Sequence, residues 1–111
     1  MRIIHRSIFI LILFLCFYIP DSYSQNATIT GKITDETGSP VFPVNISVKN
    51  SQTGTMNRKD GSYEINIPAV PDLIIVYSFI GYITQERSVS LKQGERLSID
   101  ILLETDYREL G

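Results

Sequence analysis

The side chains best suited to catalysis in this 111-residue chain lie near its N-terminus. The sequence has one histidine, His5, and one cysteine, Cys16. Both fall in a segment that we expect to be removed on export. Without them, the rest of the chain cannot build a Ser-His-Asp triad, a cysteine nucleophile or an ordinary zinc site. The sequence therefore predicts a protein that is not an enzyme, with no catalytic residues, no metal site and no cofactor.

The carboxylates do not form a recognisable acid and base pair, because they fall in predicted turns or on the polar faces of predicted strands. The stretch NRKDG at residues 57–61, followed by Glu64, has some of the oxygen ligands of a calcium loop. Lys59 stands where a ligand is needed, and Glu64 comes too early. A hairpin turn explains the stretch better, and Asp-Gly predicts a type I′ turn with positive φ at both Asp60 and Gly61.

Three tyrosines, Tyr63, Tyr77 and Tyr82, offer rings that could stack on a carbohydrate. Buried tyrosines more often pack in a core and send the hydroxyl group to a backbone partner. We therefore favour the core for these rings, and carbohydrate stays an alternative ligand without support from the sequence.

Residues 1–24 have the pattern of a cleaved secretory signal. Arg2 and Arg6 precede an apolar helical run at residues 8–19, and the small residues Ser22 and Ser24 follow, so that Gln25 would be the first mature residue. The rival interpretation is an uncleaved anchor, but the run is shorter than the roughly 20 residues that span a bilayer. We expect a protein that is exported to the periplasm or associated with the outer membrane.

Cys16 lies inside the apolar run, and Leu15 precedes it where a lipoprotein signal would have a small residue. Lipidation is therefore disfavoured. Cleavage after Ser24 would leave no cysteine, so the exported domain has to fold by core burial without a disulfide.

Residues 25–111 carry 8 Lys and Arg against 11 Asp and Glu. This mild acidity argues against nucleic acid and anionic lipid as partners.

Short runs with period-two alternation, separated by Gly, Pro, Asp and Asn, predict an all-β, seven-stranded Greek-key sandwich. We place the domain at residues 25–104, and residues 105–111 form a polar tail or the start of a linker. The seven predicted strands lie near residues 28–34, 44–48, 55–57, 63–67, 73–80, 83–91 and 96–103.

The fifth predicted strand, in the stretch LIIVYSFIGY at residues 73–82, is apolar on both faces. One face should fill the core, and the other should be left over. The pattern leaves open which face is exposed; the candidate face for a protein partner is formed by Ile75, Tyr77 and Phe79, with Tyr82.

Three spaced motifs carry a resemblance to a known family. They are G-x-I-x-D-x-x-G-x-P from Gly31 to Pro40, T-x(7)-G-x-Y from Thr53 to Tyr63, and S-F-I-G-Y at residues 78–82. The chain resembles the carboxypeptidase-regulatory-like, or transthyretin-like, domain at the N-terminus of SusC/RagA-type TonB-dependent outer-membrane transporters of Bacteroidetes. One departure is Phe42-Pro43, where the family often has glycine.

The resemblance implies an exported, non-catalytic accessory domain, or a fragment, of a nutrient-uptake receptor. Its partner would be a protein of the uptake machinery in the periplasm or outer membrane. The alternative is a free-standing secreted domain that binds carbohydrate or protein.

Overall fold

The computed structural model describes residues 25–108, which form strands and turns without a helix. The predicted signal helix and its cleavage site lie outside the described residues. Within residues 25–108, no helix has the length and apolarity to cross a membrane. The strands are β1 (Asn26–Asp35), β2 (Asn45–Val48), β3 (Gly54–Met56), β4 (Ser62–Pro68), β5 (Leu73–Ser78), β6 (Gln85–Val89), β7 (Arg96–Ser98) and β8 (Ile101–Leu103).

The strands form two four-stranded sheets that pack face to face, which confirms the predicted all-β sandwich. In the first sheet β1 is central, with antiparallel β4 on one side and parallel β7 and β8 on the other. The second sheet has the order β3-β2-β5-β6, and each of its pairs is antiparallel. The alternating apolar residues of both sheets point inward, as period-two patterns require.

The core contains sixteen buried apolar residues drawn from both sheets and from the connecting loops. Those with the largest fully buried side chains are Tyr63, Tyr77, Ile29, Ile33, Ile46, Ile67, Ile75, Ile101, Leu103 and Val44. Because the described residues contain no cysteine, this apolar burial has to supply most of the driving force for folding.

The last predicted strand, residues 96–103, is broken into β7 and β8, so the sandwich has eight strands where seven were predicted. At the break the Lys32 amide donates to the Asp100 side chain over 2.9 Å. The Ile99 carbonyl instead accepts a hydrogen bond from the Tyr63 hydroxyl at 2.6 Å. Since a side chain replaces one rung of the ladder, the strand is interrupted while its register with β1 is kept.

A turn is present between β3 and β4 as predicted, but the prediction that it is of type I′ is wrong. Gly61 has φ of +90°, whereas Asp60 keeps a negative φ. The Gly61 amide donates to the Arg58 carbonyl at 2.9 Å, and the Arg58 amide donates to the Ser62 carbonyl at 2.8 Å. The Asp60 carboxylate accepts from the Ser62 amide at 3.0 Å and from its hydroxyl at 2.6 Å. This is a three-residue turn, closed by Arg58 and Ser62, with glycine at its left-handed position. Because β3 pairs with β2 and β4 pairs with β1, the turn connects the two sheets, and the predicted hairpin is wrong.

Candidate functional site

The candidate partner face of β5 points into the core. Ile75 and Tyr77 are each 0 % exposed and belong to the core. The prediction that they form an outward partner face is therefore wrong. Phe79 and Tyr82, the other two predicted members of that face, are partly buried and lie beyond the end of the strand.

A pair of tyrosines fixes which face of β5 is buried. The Tyr63 and Tyr77 rings meet edge to face, with centroids 5.5 Å apart and planes at 78°. Tyr63 donates its hydroxyl proton to the Ile99 carbonyl at 2.6 Å, so Tyr77 donates to the Tyr63 oxygen at 2.8 Å. Burial raises the pKa of both phenols. Tyr63 and Tyr77 are therefore core residues, the role that the sequence favoured over stacking on a carbohydrate. Of the three candidate stacking residues, Tyr82 alone is near the surface.

Because these two phenols are buried, we expect the folded protein to lose stability in alkali. Burial raises the folded pKa of Tyr63 and Tyr77 above the ordinary value of 10.0. Their stabilising contribution is fully present below pH 10 and is lost as the pH rises toward the folded pKa values. We expect the free energy of unfolding to fall by up to about 1.4 kcal/mol per pH unit for each tyrosine.

Urea unfolding between pH 8 and 11.5, followed with tyrosinate absorbance, measures this effect. Tyr63→Phe removes one of the two buried phenols and should make the loss with pH less steep. Ionisation of both buried phenols in the folded protein, with no loss of stability, would contradict the prediction.

The outer face of β5 has its own cover. Ile74 and Val76 lie on this face and are half-buried. Lys49, which follows β2, and Glu86 of β6 flank β5 on opposite sides, and Lys49 Nζ lies 3.1 Å from Glu86 Oε1. The ion pair therefore reaches across β5, and the aliphatic stem of the lysine covers apolar surface. This explains why a strand with one face in water is apolar on both.

The turn after β5 carries the most exposed large apolar side chain described. Tyr82 donates its amide proton to the Phe79 carbonyl at 3.1 Å, and Gly81 has φ of +88°. Ile80 is at the tip of this 79–82 turn and is 84 % exposed. The Phe79 and Tyr82 rings at the two ends of the turn pack against each other, with centroids 5.7 Å apart.

A groove lies beside this turn, on the outer surface of the second sheet. Its cavity next to the turn measures about 480 Å³, and a neighbouring cavity along β2 and β3 shares three of its residues. No Asp, Glu, Lys, Arg or His is among the described residues that line either cavity. The first is lined by Pro43, Asn45, Met56, Ser78, Phe79, Ile80, Tyr82 and Thr84. The groove was not predicted from the sequence, because its walls come from three separate segments.

The C-terminal segment is attached to the same turn. Ile83 donates its amide proton to the Glu104 carbonyl at 2.8 Å, and Asp106 donates to the Gly81 carbonyl at 2.8 Å. Thr105 donates its amide proton to the Glu36 carboxylate at 2.6 Å. Residues 104–106 thus form a short pairing with residues 81–83, where the sequence predicted that a tail or linker begins at 105.

Three of the described carboxylates accept hydrogen bonds from residues two positions further along the chain. Bonds from Thr37, Ser62 and Arg108 lower the pKa of Asp35, Asp60 and Asp106 respectively. In the part of the chain that the structure describes, no group of three or more acidic, histidine or cysteine side chains could hold a metal ion. The surface features that stand out are therefore a turn and a groove, both of which suit contact with a partner.

These features define a small β-sandwich domain, and comparison with known proteins identifies its family. The family model for the CarboxypepD_reg-like domain matches residues 29–111. The chain belongs to this family, which confirms the resemblance carried by its three motifs.

The similar proteins of known name are receptors. The chain is 39 % identical over 80 residues to the TonB-dependent receptor SusC of Bacteroides thetaiotaomicron, covering 72 % of this chain and 8 % of that protein. It is 36 % identical over 103 residues to the TonB-dependent receptor P39 of Formosa agariphila, covering 92 % and 9 %. The chain thus spans about a tenth or less of the length of these relatives.

Solved structures share the fold at low identity. A type II cohesin-X-dockerin complex from Acetivibrio cellulolyticus matches with a TM-score of 0.59 and 18 % identity, covering 71 % of this chain and 58 % of that one. The 3-chlorocatechol 1,2-dioxygenase of Rhodococcus opacus matches with a TM-score of 0.58 and 11 % identity, covering 79 % and 63 %. At such identities the similarity concerns the sandwich alone.

Proposed function

We propose that this chain is a non-catalytic accessory domain of a TonB-dependent outer-membrane receptor, exported by a cleaved signal and acting through protein contacts in the periplasm. The observation that carries the proposal is the match to receptors, which covers most of this chain but 8 % and 9 % of SusC and P39. A domain that aligns with so small a share of a receptor is one part of a larger protein. Transport itself would depend on the rest of that protein.

The surface supports this role. Among the described residues no acidic, histidine or cysteine cluster could hold a metal ion, whereas the 79–82 turn leaves Ile80 84 % exposed. Exposed apolar side chains on rigid elements are the usual anchors of protein interfaces. Contact with another protein is therefore the function that the geometry supports best.

A domain exchange in the SusC receptor tests the proposal. Residues 25–106 of this chain, which contain all eight strands and the 104–106 pairing, would replace the region of SusC that aligns with this chain over 80 residues. We expect this exchange to support receptor-dependent growth of Bacteroides thetaiotaomicron, because the fold and contact surface are retained. Deletion of the region should reduce growth, as should its replacement by an unrelated β-sandwich of equal size.

Receptor levels in the outer membrane have to be equal in all strains for the comparison to hold. If the unrelated sandwich supports growth as well as this domain does, the domain is a spacer and the proposed role in specific contacts is wrong. If deletion has no effect, the accessory role itself is wrong.

A further inference from the structure

β3 forms one open edge of the second sheet, because it is the last strand in the order β3-β2-β5-β6 and pairs with β2 alone in that sheet. Two hydrogen bonds show which positions beside β3 face β2. The Val48 amide donates to the Thr53 carbonyl at 2.9 Å, and the Asn57 amide donates to the Val44 carbonyl at 3.3 Å. The residues directly before and after β3 therefore bond toward β2.

The alternation of an antiparallel ladder assigns the three residues of β3 itself. Positions that bond to a neighbouring strand recur every second residue, so Thr55 also bonds to β2. The N–H and C=O groups of Gly54 and Met56 then point the other way, out of the edge of the sheet. The Met56 carbonyl receives a long hydrogen bond of 3.4 Å from the Thr55 hydroxyl, which a partner N–H can replace. All three residues are exposed, so this row of backbone groups is open to another chain.

The other edges of the sandwich carry residues that discourage pairing. β6, at the far end of the same sheet, has Glu86 and Arg87. β4 has Glu64 and ends at Pro68, which has no N–H to offer at a position that faces outward. Charges and prolines on edge strands keep further strands from adding to a sheet. β3 has neither, and its short length limits what can add to it to a segment of a few residues.

The outer face beside β3 has room for the side chains of an added strand. Gly54 leaves a gap there, since a Cβ atom on it would lie 3.5 Å from Cβ of Ser47. The cavity along β2 and β3 measures about 680 Å³, and Gly54, Ser47 and Met56 are in its lining. A large side chain that lies opposite an edge glycine on an adjacent strand can fill the space that the glycine leaves.

We propose that β3 is the docking site for an extended segment of another protein, which adds to the second sheet as a further strand. The occupant is a polypeptide because its own N–H and C=O groups repeat at the spacing of those on Gly54 and Met56. An antiparallel segment makes four hydrogen bonds to this edge and places a large apolar or aromatic residue opposite Gly54. The inference rests on the proposed function, because it names how the domain contacts its protein partner.

Peptide binding to the purified exported protein tests the site. The probe is a display library of random nine-residue peptides, and the enriched peptides are then measured singly, with blocked ends, by NMR of the isotope-labelled protein. We expect a Kd of roughly 10 µM to 1 mM, because few hydrogen bonds form. The bound peptides should shift the amide signals of Gly54 and Met56, and they should share a large apolar or aromatic residue.

Proline substitution on the edge distinguishes strand addition from other contacts. Met56→Pro removes an outward donor and blocks the edge while β3 keeps its bonds to β2, so we expect at least tenfold weaker peptide binding. Ser88→Pro is the matched control, because Ser88 pairs with Ile74, which bonds toward β2, and its own N–H therefore points outward from β6. The control should leave binding unchanged within about twofold. Thr55→Lys adds a charge to the exposed edge and should also weaken binding.

Urea unfolding of each variant separates a loss of binding from a loss of folding. Thr55→Pro removes an inward donor and should be less stable than Met56→Pro, so equal destabilisation by the two would contradict the edge geometry. A library that yields no binder would overturn the proposal, as would binders that Met56→Pro affects no more than Ser88→Pro. Amide shifts at Gly54 and Met56 that depend on protein concentration alone would assign the edge to a second copy instead. None of these results decides the receptor role, which the domain exchange tests separately.

Discussion

Replacing Gly31 with alanine is expected to lower the free energy of unfolding by about 4 kcal/mol or more, which is exceptional for the addition of one methyl group. A Cβ atom at residue 31 would lie 1.9 Å from the Ile99 carbonyl oxygen and 2.7 Å from its carbon. It would also lie 2.8 Å from Cε1 of Tyr63. These are not flexible chain ends, because the Tyr63 hydroxyl holds the Ile99 carbonyl in place at 2.6 Å.

Urea unfolding followed by circular dichroism measures this loss. Gly54→Ala is the matched control, since Gly54 is also a strand glycine and its nearest contact to an added Cβ is 3.1 Å, to the Ile46 carbonyl oxygen. We expect the control to change stability by about 1 kcal/mol or less. Equal effects of the two substitutions would show that the approach of Ile99 to Gly31 is not as tight as described.

Gly31 also shows how far a sequence pattern reaches. The alternation of Ile29, Gly31 and Ile33 with polar residues predicted the strand and its buried face, and β1 confirms both. The reason for glycine lies in a carbonyl group 68 residues further along the chain, where Asp100 takes over a rung of the ladder. Local periodicity carries no information about such a contact, so the break between β7 and β8 was not predicted.

The orientation of β5 could not be predicted from the sequence, for a different physical reason. Residues of both parities are apolar, so the pattern identified a strand with two apolar faces but could not rank them. The inward face is set by the hydrogen bond between the Tyr77 and Tyr63 hydroxyl groups, and the outward face by the ion pair between Lys49 and Glu86. Both interactions join residues that are distant in sequence, and only the three-dimensional structure reveals them.

The surface around Ile80 was partly within reach of the sequence. The turn follows from Gly81, whose φ of +88° suits glycine, and Phe79 and Tyr82 were predicted members of a contact face. The groove could not be predicted from the sequence, because Pro43 and Met56 are distant from Ile80 along the chain. A contact surface made by several segments leaves no local signature.

Asn57 carries the second large prediction, since it is the buried polar residue of the described core and is 4 % exposed. Its Nδ2 donates to the Val41 carbonyl at 2.7 Å and to the Gly61 carbonyl at 3.3 Å. Its Oδ1 accepts from the Val44 amide at 2.8 Å. One side chain thus bonds three backbone groups and joins the 41–44 loop to the turn at Gly61. The Gly61 carbonyl also accepts from the Ile33 amide at 2.8 Å, so the Val44 amide and the Val41 carbonyl are the two groups that depend on Asn57.

Asn57→Ala is expected to lower the free energy of unfolding by about 3 to 5 kcal/mol, because unpaired buried groups cost about 1 to 3 kcal/mol each. Asn66→Ala is the matched control on the exposed face of β4, where Asn66 accepts one hydrogen bond, from Thr28, at 2.9 Å, and we expect a loss of about 1 kcal/mol or less. Urea unfolding of both variants gives the difference.

Asn57→Asp separates hydrogen bonding from packing. The aspartate keeps the volume of the side chain and an acceptor for Val44, but places an ionised oxygen against the Val41 and Gly61 carbonyls. Burial and these carbonyls should raise the folded pKa of Asp at this position, so the variant loses stability as the pH rises through that range. Unfolding at pH 4 and pH 8 tests the sign. The contrary result would be a variant that is as stable at pH 8 as at pH 4, relative to the unsubstituted protein. In that case, hydrogen-bond donation by Asn57 would not be what holds the 41–44 loop to the turn at Gly61.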